Sequence, residues 1–295
     1  MTRAGFVTLV GRPNAGKSTL LNHLVGTKLA IVSPKPQSTR DRVVGILIHA
    51  DTQMVLFDTP GLLEPRYDLH RSMRRAALEA IADADLILHL VDGLSTPEQR
   101  EPLAKIAGLA VPPRAAVLTV VTKADQLSPE QRARWLVEVP DALLISAATG
   151  EGISALLDLV AARLPESPFL YPVDDVSTQQ TRFFASEFVR EAVFEQLEDE
   201  VPYGVAVEIE EFREERTPVY VRAVMHVERD SQKRILIGSG GSRIRAIGQA
   251  ARPRIEALID RPVYLDLWVK VLTNWRRNPV ALRRLGYQLP EDLER

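Results

Sequence analysis

One octapeptide near the N-terminus limits the fold more than any other feature of the chain. Residues 6–10 form an apolar run of strand length. Gly11-Arg12-Pro13-Asn14-Ala15-Gly16-Lys17-Ser18 follows at once, and Thr19 lies within a helix-like segment over 17–25. This is GxxxxGK[ST] set between a strand and a helix. Its glycines let backbone N–H groups curl around a phosphate held at the helix N-terminus. Lys17 then reaches the β- and γ-phosphates, and the Ser18 hydroxyl is placed to ligate Mg²⁺. A glycine-rich turn without function is the bland alternative, and the flanking elements weigh against it.

The first half continues the alternation. Strand-like runs over 43–49 and 54–57 predict a hairpin with Asp51-Thr52-Gln53 as its turn, and further strands are expected over 86–91, 115–122 and 142–146. Helical periodicity covers 69–81, 97–109, 129–137 and 153–164. Such alternation predicts an α/β P-loop NTPase fold, a mostly parallel sheet with helices on both faces. A Pro-rich polar stretch (Pro165, Ser167, Pro168, Pro172, Asp174, Asp175, Ser177) then breaks the pattern. The expected organisation is a first domain over 1–165, a linker over 166–180 and a smaller α+β domain over 181–295. Two domains also suit a chain of 295 residues.

The absence of cysteine excludes disulfides, thiolate metal sites and a thiol nucleophile. No apolar run reaches the ~18 residues a membrane span needs, and the N-terminus enters a strand too soon for a signal peptide. These points predict a cytoplasmic location.

Three more short motifs each end a predicted strand. After Asp58-Thr59-Pro60-Gly61, a carboxylate can hold Mg²⁺ and the Gly61 N–H can approach a γ-phosphate. In Thr122-Lys123-Ala124-Asp125, the Asp125 carboxylate can accept from guanine N1–H and the exocyclic amine, a pairing adenine cannot make. Ser146-Ala147-Ala148 can offer a backbone N–H to guanine O6. Singly, each is a common turn or helix start. Four in this order, each at a strand's C-terminal end where such sheets bind ligands, point to a guanine nucleotide.

With these motifs and Pro36-Gln37-Ser38-Thr39-Arg40, the chain resembles the Era-type bacterial GTPases over its whole length, with a G domain of the translational-GTPase class. The resemblance implies that GTP and GDP bind and that GTP is hydrolysed. Lys17, Thr39 and Gly61 would serve catalysis, and Ser18, Thr39 and Asp58 would hold Mg²⁺. Residues 36–40 would form switch I, with Thr39 on the metal and Ser38 the competing hydroxyl. Leu62 stands where Ras-like enzymes carry a water-orienting Gln, so hydrolysis is expected to be slow without RNA or K⁺. Asn14 is the candidate K⁺ ligand, with a plain turn Asn as the alternative. Thr122 replaces the usual Asn of the base motif and shortens its reach.

In the second domain, Gly238-Ser239-Gly240-Gly241 forms a GxxG between two helical segments. The order helix–strand–strand–helix–GxxG–helix–strand resembles a type II KH fold, in which the loop lets a nucleic-acid backbone approach. From 229 to 284 the chain carries thirteen basic and four acidic side chains, a phosphate-binding footprint. From 187 to 228 it carries twelve acidic and four basic ones, so a net charge of −2 hides a polarised domain. Ser239 and Gly240 are not basic, so Lys233, Arg234, Arg243 and Arg245 would supply phosphate contacts. Trp275 beside Arg276 is a candidate base platform, whereas Trp268 and Trp135 suit the core. The five histidines (His23, His49, His70, His89, His226) show no ligand spacing.

The expected function is a GTP-driven switch on single-stranded RNA. By resemblance, the RNA is the 3′ end of 16S rRNA and the process is 30S ribosomal subunit assembly and rRNA maturation. A monomer is expected, and some Era-like proteins associate peripherally with the inner face of the cell membrane. Two other classes stay open from the residues alone: a P-loop ATPase or kinase, and an RNA-binding module with a passive GTP-responsive clamp.

Overall fold

The computed structural model describes residues 1–290. The chain divides into two compact units. One consists of Met1–Ala30, Thr39–Pro65 and Met73–Thr178; the other consists of Ile31–Ser38, Arg66–Ser72 and the chain from Gln179 onward. Residues 291–295, the end of the expected second domain, lie outside the described residues.

The first unit is built on a six-stranded sheet in the order β2-β3-β1-β4-β5-β6: β1 (Arg3–Gly11), β2 (Val43–His49), β3 (Thr52–Asp58), β4 (Leu86–Asp92), β5 (Ala116–Thr122) and β6 (Leu143–Leu144). Only β2 runs antiparallel, against β3. Every residue of β3 is buried, as expected for a strand covered on both faces. Helices α1 (Lys17–Val25), α2 (Asp68–Ala82), α3 (Leu103–Ala107), α4 (Pro129–Glu138) and α5 (Ile153–Arg163) follow the strands in turn. Register brings the ends of the parallel strands level, with Leu9 opposite Asp58, Gly11 opposite Leu90 and Asp92 opposite Thr122.

Two sequence expectations change. The helix over 97–109 is split into a 3₁₀ turn (Pro97–Gln99) and the short α3. Pro102 disfavours helical backbone at Glu101 and donates no hydrogen bond of its own. The hairpin turn is Ala50-Asp51, with Ala50 at φ 48°, because Thr52 is already paired with His49. Residues 166–178, within the expected linker over 166–180, are docked along the first sheet. Glu166 bridges to Arg3, Ser167 N–H donates to Thr2 O, and Ile46 N–H donates to Val176 O. Fully buried Gln53 accepts from the N–H groups of Leu170 and Tyr171 and donates to Tyr171 O. A segment without helix or strand thus satisfies its polar backbone against the sheet.

The second unit has α6 (Thr181–Gln196), β7 (Ala206–Arg213), β8 (Val219–Val227), α7 (Asp230–Ile237), α8 (Ser242–Ile259), β9 (Val263–Val271) and α9 (Pro279–Arg284). Its sheet runs β7-β8-β9, antiparallel then parallel. Helices α6 and α8 pack on each other and on the sheet, burying Phe184, Phe188, Ile247 and Ile255. Among the described residues, no helix is long and apolar enough to cross a membrane.

Candidate functional site

The C-terminal ends of β1 and β3 bring the phosphate-loop residues against Asp58. Gly16, at φ 86°, turns the loop into α1 without a side-chain cap, so the helix's first N–H groups point at the space above it. Lys17 is buried within the loop, where Nζ donates to Arg12 O at 3.0 Å and Gly11 O at 3.4 Å. Burial lowers its pKa to about 8, against the pull of Asp58. Asp58 is fully buried, and burial pushes its carboxyl up to about 6, opposed by Lys17 and by hydrogen bonds from two hydroxyls.

Those hydroxyls are Ser18 and Thr39. Ser18 Oγ donates to Asp58 Oδ2 at 2.6 Å and lies 3.0 Å from Thr39 Oγ1, which is 3.3 Å from the same carboxylate oxygen. Thr39, rather than its neighbour Ser38, joins the cluster. The second carboxylate oxygen, Asp58 Oδ1, is buried without a hydrogen-bond partner. Buried charges with too few protein partners cost free energy unless a ligand completes them. Two hydroxyls and one carboxylate form a hard-oxygen set that suits Mg²⁺ shared with phosphate and water. Among the described residues, no group of three or more His, Cys, Asp or Glu gathers into a metal site of another kind.

Thr59 donates from Oγ1 to Leu9 O, which fixes the start of the next loop. Pro60 leads to Gly61, where an added Cβ would lie 2.7–2.8 Å from Pro13 backbone atoms, so only glycine fits. Leu62 turns inward to Val10, Ala77 and Ile87, and its N–H donates to Gly11 O. Position 62 therefore has neither a polar side chain nor a free N–H for water. Asn14, at φ 62°, sits at the top of the loop.

At the far end, Thr122 Oγ1 lies 3.0 Å from Ala15 O and 3.3 Å from Val91 O. The residue that replaces Asn thus ties the base loop to the phosphate loop. Lys123 pairs with Asp92 at 2.6 Å, and Ala124 N–H donates to Ile145 O. Asp125 is exposed in the 3₁₀ turn just beyond β5, and its carboxylate has no hydrogen-bond partner among the described residues. The Ser146 N–H is taken by Glu151 O, which leaves the N–H groups of Ala147 and Ala148 to face a base.

In the second unit, a turn over Ser239–Gly241 joins α7 to α8, with Gly238, Gly240 and Gly241 all at positive φ. A Cβ at Gly238 would meet Arg243 at 2.8 Å, whereas Gly240 has open space around it. Lys233, Arg234 and Arg245 flank the turn without an ion pair among the described residues, and Arg243 donates to Ile235 O. Beside them runs a groove of about 520 Å³ lined by Ile244, Arg245, Gly248, Tyr264, Leu265 and Leu267.

Charge in this unit is less polarised than the sequence predicts. Arg254 pairs with Glu195, Lys270 with Glu210, Arg276 with Glu228 and Arg284 with Glu208, so the acidic run neutralises part of the basic one. The unpaired cations that remain include those beside the GxxG turn. The tryptophans also exchange roles. Trp275 is 0% exposed, donates to Gly204 O and stacks on Tyr287, so it offers no platform to a base. Trp268 is 52% exposed on β9, because outward residues alternate there with inward ones. Tyr264, 59% exposed at the groove, belongs to no motif in the sequence; its outward place on an edge strand is the available signal. Trp135 is buried as expected.

Comparison with known proteins agrees with this geometry. Residues 6–123 match the family described as 50S ribosome-binding GTPase, and residues 200–276 match the KH domain family. The GTPase Era of Ectopseudomonas mendocina is 43% identical over 97% of this chain and 98% of its own length. That of Carboxydothermus hydrogenoformans is 40% identical over 97% and 98%. An Aquifex aeolicus Era variant bound to GDP·AlF₄⁻ superposes with a TM-score of 0.89, at 35% identity, covering 98% of this chain and all of the other. Era in complex with MgGDPNP and nucleotides 1506–1542 of 16S ribosomal RNA gives 0.90, with the same identity and coverage.

Proposed function

From the premise that this chain belongs to the Era family of GTPases, a GTPase domain joined to a KH domain, we propose that it couples Mg²⁺·GTP binding and hydrolysis to capture of the 3′ segment of 16S rRNA during small-subunit assembly. The observation that carries this reading is the buried meeting of Ser18, Thr39 and Asp58 beside Lys17, with Asp58 Oδ1 left for a ligand.

When bound, Mg²⁺ neutralises charge developing across the β- and γ-phosphates. Ser18 and Thr39 present hydroxyl oxygens to it, with Asp58 behind them. Lys17 turns Nζ from the loop carbonyls toward phosphate oxygens, where its charge is matched. Gly61 offers its N–H from a position fixed by Pro13. Asn14 is the residue we assign to K⁺, which would supply charge that Leu62 cannot. Asp125 reads guanine with the N–H groups of Ala147 and Ala148. In the second unit, the GxxG turn admits an RNA backbone, Lys233, Arg234, Arg243 and Arg245 meet its phosphates, and the groove beside Tyr264 takes unpaired bases. The related complex with nucleotides 1506–1542 supports this choice of RNA.

Crosslinking to a 16S 3′-end oligonucleotide, with GDPNP or GDP bound, tests the reading. Wild type should crosslink and Gly240→Asp should not, while both bind GTP in preference to ATP by calorimetry. Equal crosslinking would remove the RNA assignment, and absence of heat with Mg²⁺·GTP would remove the nucleotide assignment.

A further inference from the structure

A partly closed cavity of about 210 Å³ lies under the phosphate loop, and phosphate recognition makes no use of it. Its walls are Pro13 and Ala15 of the loop, His89 and Leu90 of β4, Ser95 beyond that strand and Ile106 of α3. We propose that this cavity is an effector site for a small, neutral nitrogen heterocycle of one or two rings, whose occupancy reaches the γ-phosphate side through Pro13.

Size sets the first limit. An apolar protein cavity of about 150 Å³ takes a benzene ring, so one of 210 Å³ accommodates a single or fused ring system. Polarity sets the second. Three groups of the lining residues lack hydrogen bonds among the described residues. Arg12 Nε and Ser95 Oγ are buried without a partner, and the His89 ring, 6% exposed, has none among the described residues. Unpaired buried polar groups are uncommon and mark a place for water or ligand. A neutral imidazole offers one donor and one acceptor, and a hydroxyl offers both, which matches a heterocycle with donor and acceptor on one edge.

Charge sets the third limit. The Arg12 guanidinium is paired with Glu101, and Asp92 is paired with Lys123. Burial, then the nearby Lys17, hold the His89 pKa down to about 4, so the ring is uncharged near neutral pH. A charged occupant would leave water without gaining a free counter-ion, so a neutral one is favoured.

Coupling follows from the other side of the same wall. Pro13 lines the cavity and also abuts Gly61, with no room between them for a Cβ. A ring pressed against Pro13 restrains the contact that Gly61 needs when it approaches the γ-phosphate, so occupancy slows hydrolysis. The cavity shares its Pro13 and Ala15 wall with the phosphate loop, and it does not depend on the RNA assignment.

The test uses the full-length GDP-loaded protein and 7-azaindole as probe, observed through ¹⁵N-labelled histidine. Five histidines keep the spectrum readable, and His89→Phe identifies the His89 signals. Wild type should show a saturable shift of the His89 ring with the other rings unmoved and GDP retained. Ser95→Leu, which fills the cavity from outside the nucleotide site, should weaken the probe at least tenfold with an unchanged melting temperature and unchanged GDP affinity. GTP turnover at saturating probe should fall at least twofold in wild type and stay constant in Ser95→Leu. An unmoved His89, displacement of GDP by the probe, or equal probe affinity in Ser95→Leu would overturn the site. Unchanged turnover in wild type would overturn the effector role. If GDP itself does not bind, the GTPase reading fails while the His89 shift still reports on the cavity.

Discussion

The two ligand-binding regions solve opposite problems. At the phosphate loop, Lys17 and Asp58 are withdrawn from water and Ser18, Thr39 and Thr122 are locked by hydrogen bonds before any nucleotide arrives. At the GxxG turn, Lys233, Arg234 and Arg245 remain on the surface without fixed partners, beside glycines that keep side chains away. Buried, oriented groups reject a wrong ligand strongly because any mismatch leaves them unpaired. Exposed cations accept many sequences and respond to salt. The first region suits one defined nucleotide, and the second suits a flexible strand whose backbone is always the same.

The largest effect should come from exchanging interior for exterior within the second unit. Trp275→Ala should cost about 4 kcal/mol in urea-induced unfolding, as expected when a fully buried Trp is truncated. Trp268→Ala should cost under about 1 kcal/mol. Equal losses would erase the distinction between the two tryptophans. Next comes pH. The unfolded chain takes up a proton at His89 near pH 6.5, whereas the folded chain resists until about 4. His89 thus withdraws about 3 kcal/mol of stability as pH drops through that window. Asp58, whose carboxyl is raised to about 6, returns a similar amount below pH 6, so the nucleotide-free protein should stay nearly level there. His89→Phe should therefore gain stability as pH falls from 6.5 to 4, where wild type stays nearly level; equal slopes in the two would show that the ring is not held neutral.

Asp125→Asn should weaken GDP on the order of a hundredfold, about 2.7 kcal/mol, and favour xanthine nucleotides in competition binding. Retained guanine preference would mean that Ala147 and Ala148 read the base alone. Smallest is Ser239→Asp, which places a charge in the turn without straining it. RNA affinity should fall about tenfold at low salt, with the gap closing as salt rises and GDP binding unaffected. A salt-independent gap would mean that the turn is as rigid as the phosphate loop.

Much of this was legible in the residues. The four strand-end motifs, the helix over 17–25 and the strand over 43–49 lie where periodicity and motif spacing put them, because local pattern and burial agree there. The resemblance already favoured Thr39 over Ser38, and the fold supplies the physical reason, since the backbone aims the Thr39 hydroxyl at Asp58. The docking of 166–178 on the sheet was not legible, because proline and polar content signals lack of helix or strand and says nothing of attachment. Local charge counts failed for a similar reason: Arg276 and Glu228 are far apart in sequence and adjacent in space. No sequence pattern announces the cavity under Pro13, since its walls come from three separate segments.

The bond from Thr122 to Ala15 O links two tasks that are usually considered separately. It fastens the loop that leads to Asp125 onto the loop that holds Lys17. Loss of that hydroxyl would therefore be felt at both ends of the nucleotide site rather than at one.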